Sequence, residues 1–221
     1  MNSNMLQILV LIGVAVFLIL RLRSVLGTRE GFEKKPMPLD APERDVSPRR
    51  DFEVIEGGPD NDIIDHVPDG SDSAKALAAM KMAEPGFNVS EFLSGSRGAY
   101  EWILMAFENG DLSEVQNFLS EELYEAFDEV ISQRAEQGLT VEAEFIGVRE
   151  TSLVEAAFDR DTSEGEITVR FVAELVFAVR NAEGEIVDGD STEIKRQRDA
   201  WTFARIMGSD DPNWRLVATG E

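Results

Sequence analysis

Cysteine is missing from all 221 residues, and histidine occurs once. Without thiols there is no disulfide scaffold, zinc–thiolate site, iron–sulfur cluster or thiol nucleophile. The one histidine, His66, lies in Asp65-His66-Val67-Pro68-Asp69-Gly70, which reads as linker, so the folded part is expected to lack the usual acid–base side chain. Positive charge is scarce as well: 21 Lys plus Arg against 43 Asp plus Glu give a net charge of −22. From residue 86 onward, eleven basic residues face twenty-nine acidic ones. Such a surface has no electrostatic footprint for nucleic acid, whose binding rests on cations neutralising phosphates.

The positive charge that exists is concentrated near the start. Residues 1–35 hold five basic and two acidic residues, directly after an apolar run from Met5 to Leu20 interrupted only by Gln7. Counted from Ser3 to Leu22, the run has about the 20 residues that a transmembrane helix needs. No Lys or Arg precedes it, as a cleaved signal peptide would require, and Arg21-Leu22-Arg23 follows at once. The run reads as an uncleaved anchor over residues 5–22. Arg21, Arg23, Arg29, Lys34 and Lys35 all lie on its C-terminal side. The positive-inside rule then leaves residues 1–4 outside and sends the rest of the chain into the cytoplasm. Beside anionic headgroups each such cation contributes about 1 kcal/mol, though setting topology is their main expected role.

Residues 23–73 read as a basic juxtamembrane segment and an acidic, disordered linker. Six of the eight prolines fall between 36 and 73, with many Asp, Gly and Ser and no helical period. Phe52-Glu53-Val54-Ile55 and Ile63-Ile64 are read as incidental apolar clusters. The aspartates at 60, 62, 65, 69 and 72 miss the calcium-loop spacing. No metal or cofactor is expected.

From Ala74 to residue 221 the pattern is that of a folded domain. Ala74–Ala83 is a good helix former ended by Pro85-Gly86. Phe92, Leu93, Ala99, Tyr100, Ile103, Ala106 and Phe107 recur at helical spacing until Gly110, and Asp111 is read as capping a short helix through Leu119. Ser120 caps another helix, lined by Leu123, Phe127, Val130 and Ile131. Beyond Thr140 the period becomes two. Ile167, Val169, Phe171, Ala173, Leu175, Phe177 and Val179 alternate with Thr168, Arg170, Glu174 and Arg180, and Asn181–Gly184 reads as a hairpin turn. Thr140–Phe158, Ser191–Ile206 and Trp214–Thr219 supply the other strands. The expected class is α+β, with helices packed on one face of a curved antiparallel sheet. Its apolar face is rich in aromatics, and Tyr100, Phe107, Phe127, Phe171, Phe177, Trp201 and Trp214 are the candidates to line a pocket; a filled core is the competing reading.

Three stretches resemble one family. Phe92–Asp111 is similar to the FLxGAxxAYExIxxAFxxGD opening of the Tim44-like domain. Leu119–Phe127 resembles its LSPEVYxAF helix. Asp199–Arg205 and Asp211–Thr219 are similar to its closing DxWTFAR and DPNWxLVAT. The resemblance implies a cone-shaped α+β fold of the nuclear-transport-factor-two-like type with a large apolar pocket. It also implies kinship with mitochondrial adaptors that bind cardiolipin-rich membrane and tether the seventy-kilodalton heat-shock chaperone to the import channel. The anchor and acidic linker look like bacterial members, placing the chain in a bacterial inner membrane. The sequence departs from the mitochondrial pattern in having an anchor instead of a presequence and in lacking a long basic N-terminal region.

The leading expectation is a non-enzymatic membrane-anchored adaptor that binds a protein partner in translocation, chaperone recruitment or membrane-complex assembly. The alternative is a domain that takes a phospholipid or acyl chain in the aromatic pocket. A more remote alternative is an enzyme built on the cone fold. It is disfavoured because Glu174, Glu142 and Glu144 alternate onto the polar face, Asp159, Asp161, Glu164, Asp188 and Asp190 fall in expected loops, and Asp199 is expected to pair structurally with Arg205.

Overall fold

The computed structural model describes residues 60–220, so the expected anchor, residues 1–4, Arg21, Arg23, Arg29, Lys34, Lys35 and most of the expected linker lie outside them. Among the described residues no helix is long and apolar enough to cross a membrane. The helices are α1 (Asn61–Ile64), α2 (Asp72–Ala83), α3 (Val89–Asn109) and α4 (Glu121–Glu136), with a 3-10 turn at Gln116–Phe118. They precede the strands β1 (Thr140–Phe158), β2 (Glu164–Arg180), β3 (Ile186–Ile206) and β4 (Arg215–Gly220). The strands form one antiparallel meander in the order β1-β2-β3-β4. The architecture is α+β, helices packed on an open four-stranded sheet.

Local chemistry explains the boundaries. Ser71, Asn88 and Ser120 each turn a side-chain oxygen onto an N–H of the first turn of α2, α3 and α4. Gly110 ends α3 in the left-handed conformation, φ 75°, which a residue with a Cβ adopts only with strain. Asp111 does not cap a helix; its Oδ1 accepts the Ser113 N–H in a local turn, and only the 3-10 turn follows. In β2 the residues Ile167, Val169, Phe171, Ala173 and Leu175 are buried, and the intervening Arg170 is exposed. β1 shifts register after Phe145, Val148 and Leu153, and each bulge bends and twists the strand.

Two expectations about extent are corrected. The strand before Trp201 begins at Ile186, not Ser191, so Asp188 and Asp190 lie in β3 opposite Val179 and Phe177 rather than in a loop. Gly189 permits that pairing: at φ 74° its missing Cβ would sit 2.3 Å from the Phe177 carbonyl oxygen. The linker expected through residue 73 is folded from residue 60, so His66 belongs to the folded part after all, its Nε2 3.0 Å from Ser90 Oγ. Ile63 and Val67 are buried in the core, so Ile63 is not an incidental apolar residue.

Asp62 fastens this segment. Its carboxylate accepts the N–H of Val89 at 2.7 Å, the N–H of Ser90 at 3.0 Å and the Ser90 hydroxyl at 2.8 Å. It thereby caps α3 from 27 residues upstream, and Lys81 Nζ lies 2.8 Å away. Burial alone would raise the Asp62 carboxyl, but the hydrogen bonds from Lys81, Val89 and Ser90 outweigh it and hold it well below the usual carboxylate range. A group depressed in the folded state contributes stability above its ordinary value, 3.8, and loses it as pH falls further. Asp62→Ala is expected to cost about 2–3 kcal/mol in urea unfolding at neutral pH. The deficit should shrink as pH is lowered below 3; an Asp62→Ala chain as stable as the parent at pH 7 would refute the capping role.

Candidate functional site

The seven candidate aromatics do not line one pocket. Tyr100, Phe171 and Trp201 are buried against one another, with ring centroids 4.5 Å apart for Tyr100–Phe171 and 4.6 Å for Tyr100–Trp201. They fill the space between α3 and the middle of the sheet. Phe107 and Phe127 pair at 4.7 Å where α4 meets α3, half-buried, with the Arg134 guanidinium 4.5 Å above Phe107. Phe177 is half-buried farther along β2, with the Lys195 ammonium 4.5 Å over its ring. Trp214 packs on Phe92 at 4.6 Å and on Phe87 at 5.8 Å, at the other end of α3.

Only Trp214 of the seven lines a described opening: a groove of about 310 Å³ along α3, bordered by Phe92, Ala99, Ile103, Phe118 and Phe203. Gly95 on the helix side would meet nothing within 4 Å if it carried a Cβ, so the groove runs open past it. Beside Phe118, one of the residues bordering the groove, lies Trp102, 42% exposed, with ring centroids 5.2 Å apart and the rings tilted.

The filled centre has a polar element. The Tyr100 hydroxyl donates to Asp199 Oδ2, and Gln197 Nε2 donates to both, at 3.0 Å to the tyrosine oxygen and 2.7 Å to the carboxylate. Burial, followed by the adjoining Asp199 carboxylate, pushes the Tyr100 phenol far above its ordinary range. The expected Asp199–Arg205 pair is not formed. Six residues of strand separate them by about 20 Å, too far for an ion pair. Arg205 instead reaches Glu84 at 2.6 Å and the Pro212 carbonyl at 3.0 Å, with its guanidinium 5.2 Å over Trp214. Gln197 was not singled out from sequence, although it lies at the same two-residue spacing as Asp199, Trp201 and Phe203. Glu108 is a further, half-buried acid. Burial raises its carboxyl despite Arg134 at 3.3 Å and the field of Lys195. Among the described residues no cluster of three or more His, Asp or Glu is placed to hold a metal.

The model of the family described as "Tim44-like domain" matches residues 73–221. The chain belongs to that family. The mitochondrial import inner membrane translocase subunit TIM44 of Homo sapiens is 24% identical over 160 residues, which cover 71% of this chain and 35% of that protein. Subunit TIM44-1 of Arabidopsis thaliana is 22% identical over 170 residues, with the same coverage. The chain thus spans about a third of the length of the curated relatives it matches. A solved structure of the intermembrane space region of chloroplast protein ARC6 aligns with a TM-score of 0.35 at 12% identity, covering 66% of this chain and 94% of that one. In this Tim44-like domain the closing motif residues Asp199, Trp201, Arg205 and Trp214 are structural: they hold α3 and the β3–β4 loop against the sheet.

Tyr100→Phe removes a donor from a carboxylate inside the core, and the expected loss is about 1–3 kcal/mol of unfolding free energy. The raised phenol also predicts a spectroscopic silence. A Tyr124→Phe chain should show no tyrosinate absorbance at about pH 11, one unit above the ordinary phenol value, until it is unfolded. Because the neutral form is favoured in the fold, the stabilisation is complete below pH 10 and declines as pH climbs towards the native value. Ready ionisation in the native chain would contradict the buried pairing.

Proposed function

We propose that the chain is a non-enzymatic adaptor, held in a bacterial inner membrane by residues 5–22, whose cytoplasmic Tim44-like domain binds a protein partner in translocation, chaperone recruitment or membrane-complex assembly. The observation that carries this reading is family membership over residues 73–221, shared with subunits of a protein translocase. The packing adds support. Tyr100, Phe171 and Trp201 contact one another between α3 and the sheet, so an acyl chain would have to displace core aromatics there. An apolar groove bordered by Phe118 and Trp214 is open, with the exposed Trp102 beside Phe118, and aromatic residues are enriched where proteins dock.

The test is cross-linking of the full chain in native membranes, followed by mild-detergent capture and mass spectrometry of proteins and lipids. Translocation or chaperone components should be captured, at least tenfold depleted with Trp102→Glu. Stoichiometric phospholipid with no protein would overturn the reading in favour of a lipid-binding domain. Orientation is accessible because the chain has no native cysteine. Ser3→Cys should react with a membrane-impermeant maleimide on intact cells, and Asp210→Cys only after the membrane is opened. The reverse pattern would place the domain outside.

A further inference from the structure

The helices pack on the sheet face that carries Ile167, Val169 and Phe171. The opposite face draws its chemistry from the intervening residues, and strand register fixes which of them are neighbours. Glu174 of β2 pairs with Arg196 of β3, Val172 with Arg198, and Arg170 with Ala200. Arg149, at the bulge of β1, reaches Glu174 from the other side at 2.6 Å, and Arg196 reaches it at 2.9 Å. The Glu174 carboxylate is shielded by these two guanidiniums, whose hydrogen bonds hold it below the usual range. Arg170 and Arg198 are exposed and pair with no carboxylate among the described residues.

Four of the eleven basic residues after position 86 therefore meet on one patch, against Glu174 and, on β1, Glu150 opposite Val172 and Glu155 opposite Thr168. A domain of net charge near −18 has placed a net positive surface on the middle of its open sheet. Close like charges are unfavourable without a counter-charge, and two of these four lack one. Around them lie Thr168, Thr202, Ala200 and Ala218, small side chains that let another backbone come close.

We propose that this face docks an extended acidic segment of a partner protein, held by Arg149, Arg170, Arg196 and Arg198. Arg196 and Arg198 point the same way two residues apart, about 6.6 Å. Carboxylates at alternate positions of an extended peptide have that same spacing, and each arginine fork takes a carboxylate through two hydrogen bonds. Charge range selects a peptide over an anionic bilayer. Screening confines each field to about 8 Å at physiological ionic strength, so a narrow peptide feels the arginines beneath it. A flat anionic surface also faces the acidic residues around the patch. The proposal extends the adaptor reading by giving the chemistry of one docking partner. Its test does not depend on which proteins co-purify.

Full-length protein in neutral detergent would be titrated with fluorescein-labelled octaglutamate, with octalysine and phosphatidylglycerol vesicles run in parallel. Octaglutamate should bind, weaken as salt rises, and lose at least tenfold in affinity with Arg170→Glu/Arg198→Glu. Arg160→Glu, in the β1–β2 turn, should stay within twofold. Both replaced arginines are exposed; should the double variant unfold, Arg170→Gln/Arg198→Gln is the substitute, with the same expected direction. Absence of octaglutamate binding, equal binding by parent and double variant, or arginine-dependent binding of vesicles alone would each overturn the proposal.

Discussion

Tyr100 is the point at which the helical layer is fastened to the sheet. Its ring lies against Phe171 of β2 and Trp201 of β3, and its hydroxyl enters the Asp199–Gln197 pair on the same face of β3. One residue of α3 thus combines aromatic burial with a charge-assisted hydrogen bond. The second requirement fixes the first: an aromatic of any kind would fill the space, but only a phenol satisfies the acid beside it. The rotation and height of α3 over the sheet follow. So does the position of its N-terminal half, where Phe92 meets Phe203 and Trp214.

From that fixed helix the other pieces take their places. Asp62 caps α3 at its start, which orders residues 60–71 against α2 and α3 and carries Ile63 into the core. Phe107 and Glu108, near the end of α3, receive Phe127 and Arg134 of α4. The entry of α4 is tied to β4, where the Ser120 N–H donates to the Leu216 carbonyl at 2.9 Å. Glu84, just after α2, reaches across to Arg205 and to the Gly208 N–H. The closing motif is thereby joined to the first long helix, which accounts structurally for its charged member.

Much of this fold was legible in the sequence because the signals were local. Alternation from Ile167 to Leu175 gives a strand and its buried face, and the caps Ser120 and Gly110 give helix ends; beyond Leu175 a register shift buries Ala178 instead of the expected Phe177 and Val179. The rest depended on long-range contacts. Residues 60–71 look like linker because four helical residues among Asp, Pro and Gly have no local stability; Ile63 and Val67 are ordered by what they bury against. The first residues of β3 are exposed along both faces, so alternation carries no information there. For the aromatics, alternation assigns a face but not a depth. Alternation therefore cannot separate a pocket lining from a filled core among the seven rings, of which three fill the core and the others sit at separate margins.

That partition bears on how such a domain can act. A sheet-and-helix layer with a hollow between the layers can take a small molecule there; one whose hollow is filled cannot without displacing core side chains. Here the rings most directly between α3 and mid-sheet touch each other, and the polar groups that accompany them are satisfied internally. The outward-facing features of the described residues include an apolar groove with the exposed Trp102 nearby and a cluster of arginines on an acidic domain. Exposed aromatic area adds no burial, and neighbouring unpaired guanidiniums repel. On the proposed adaptor reading, covering the groove would bury its exposed apolar area, and an acidic segment would supply Arg170 and Arg198 with counter-charges.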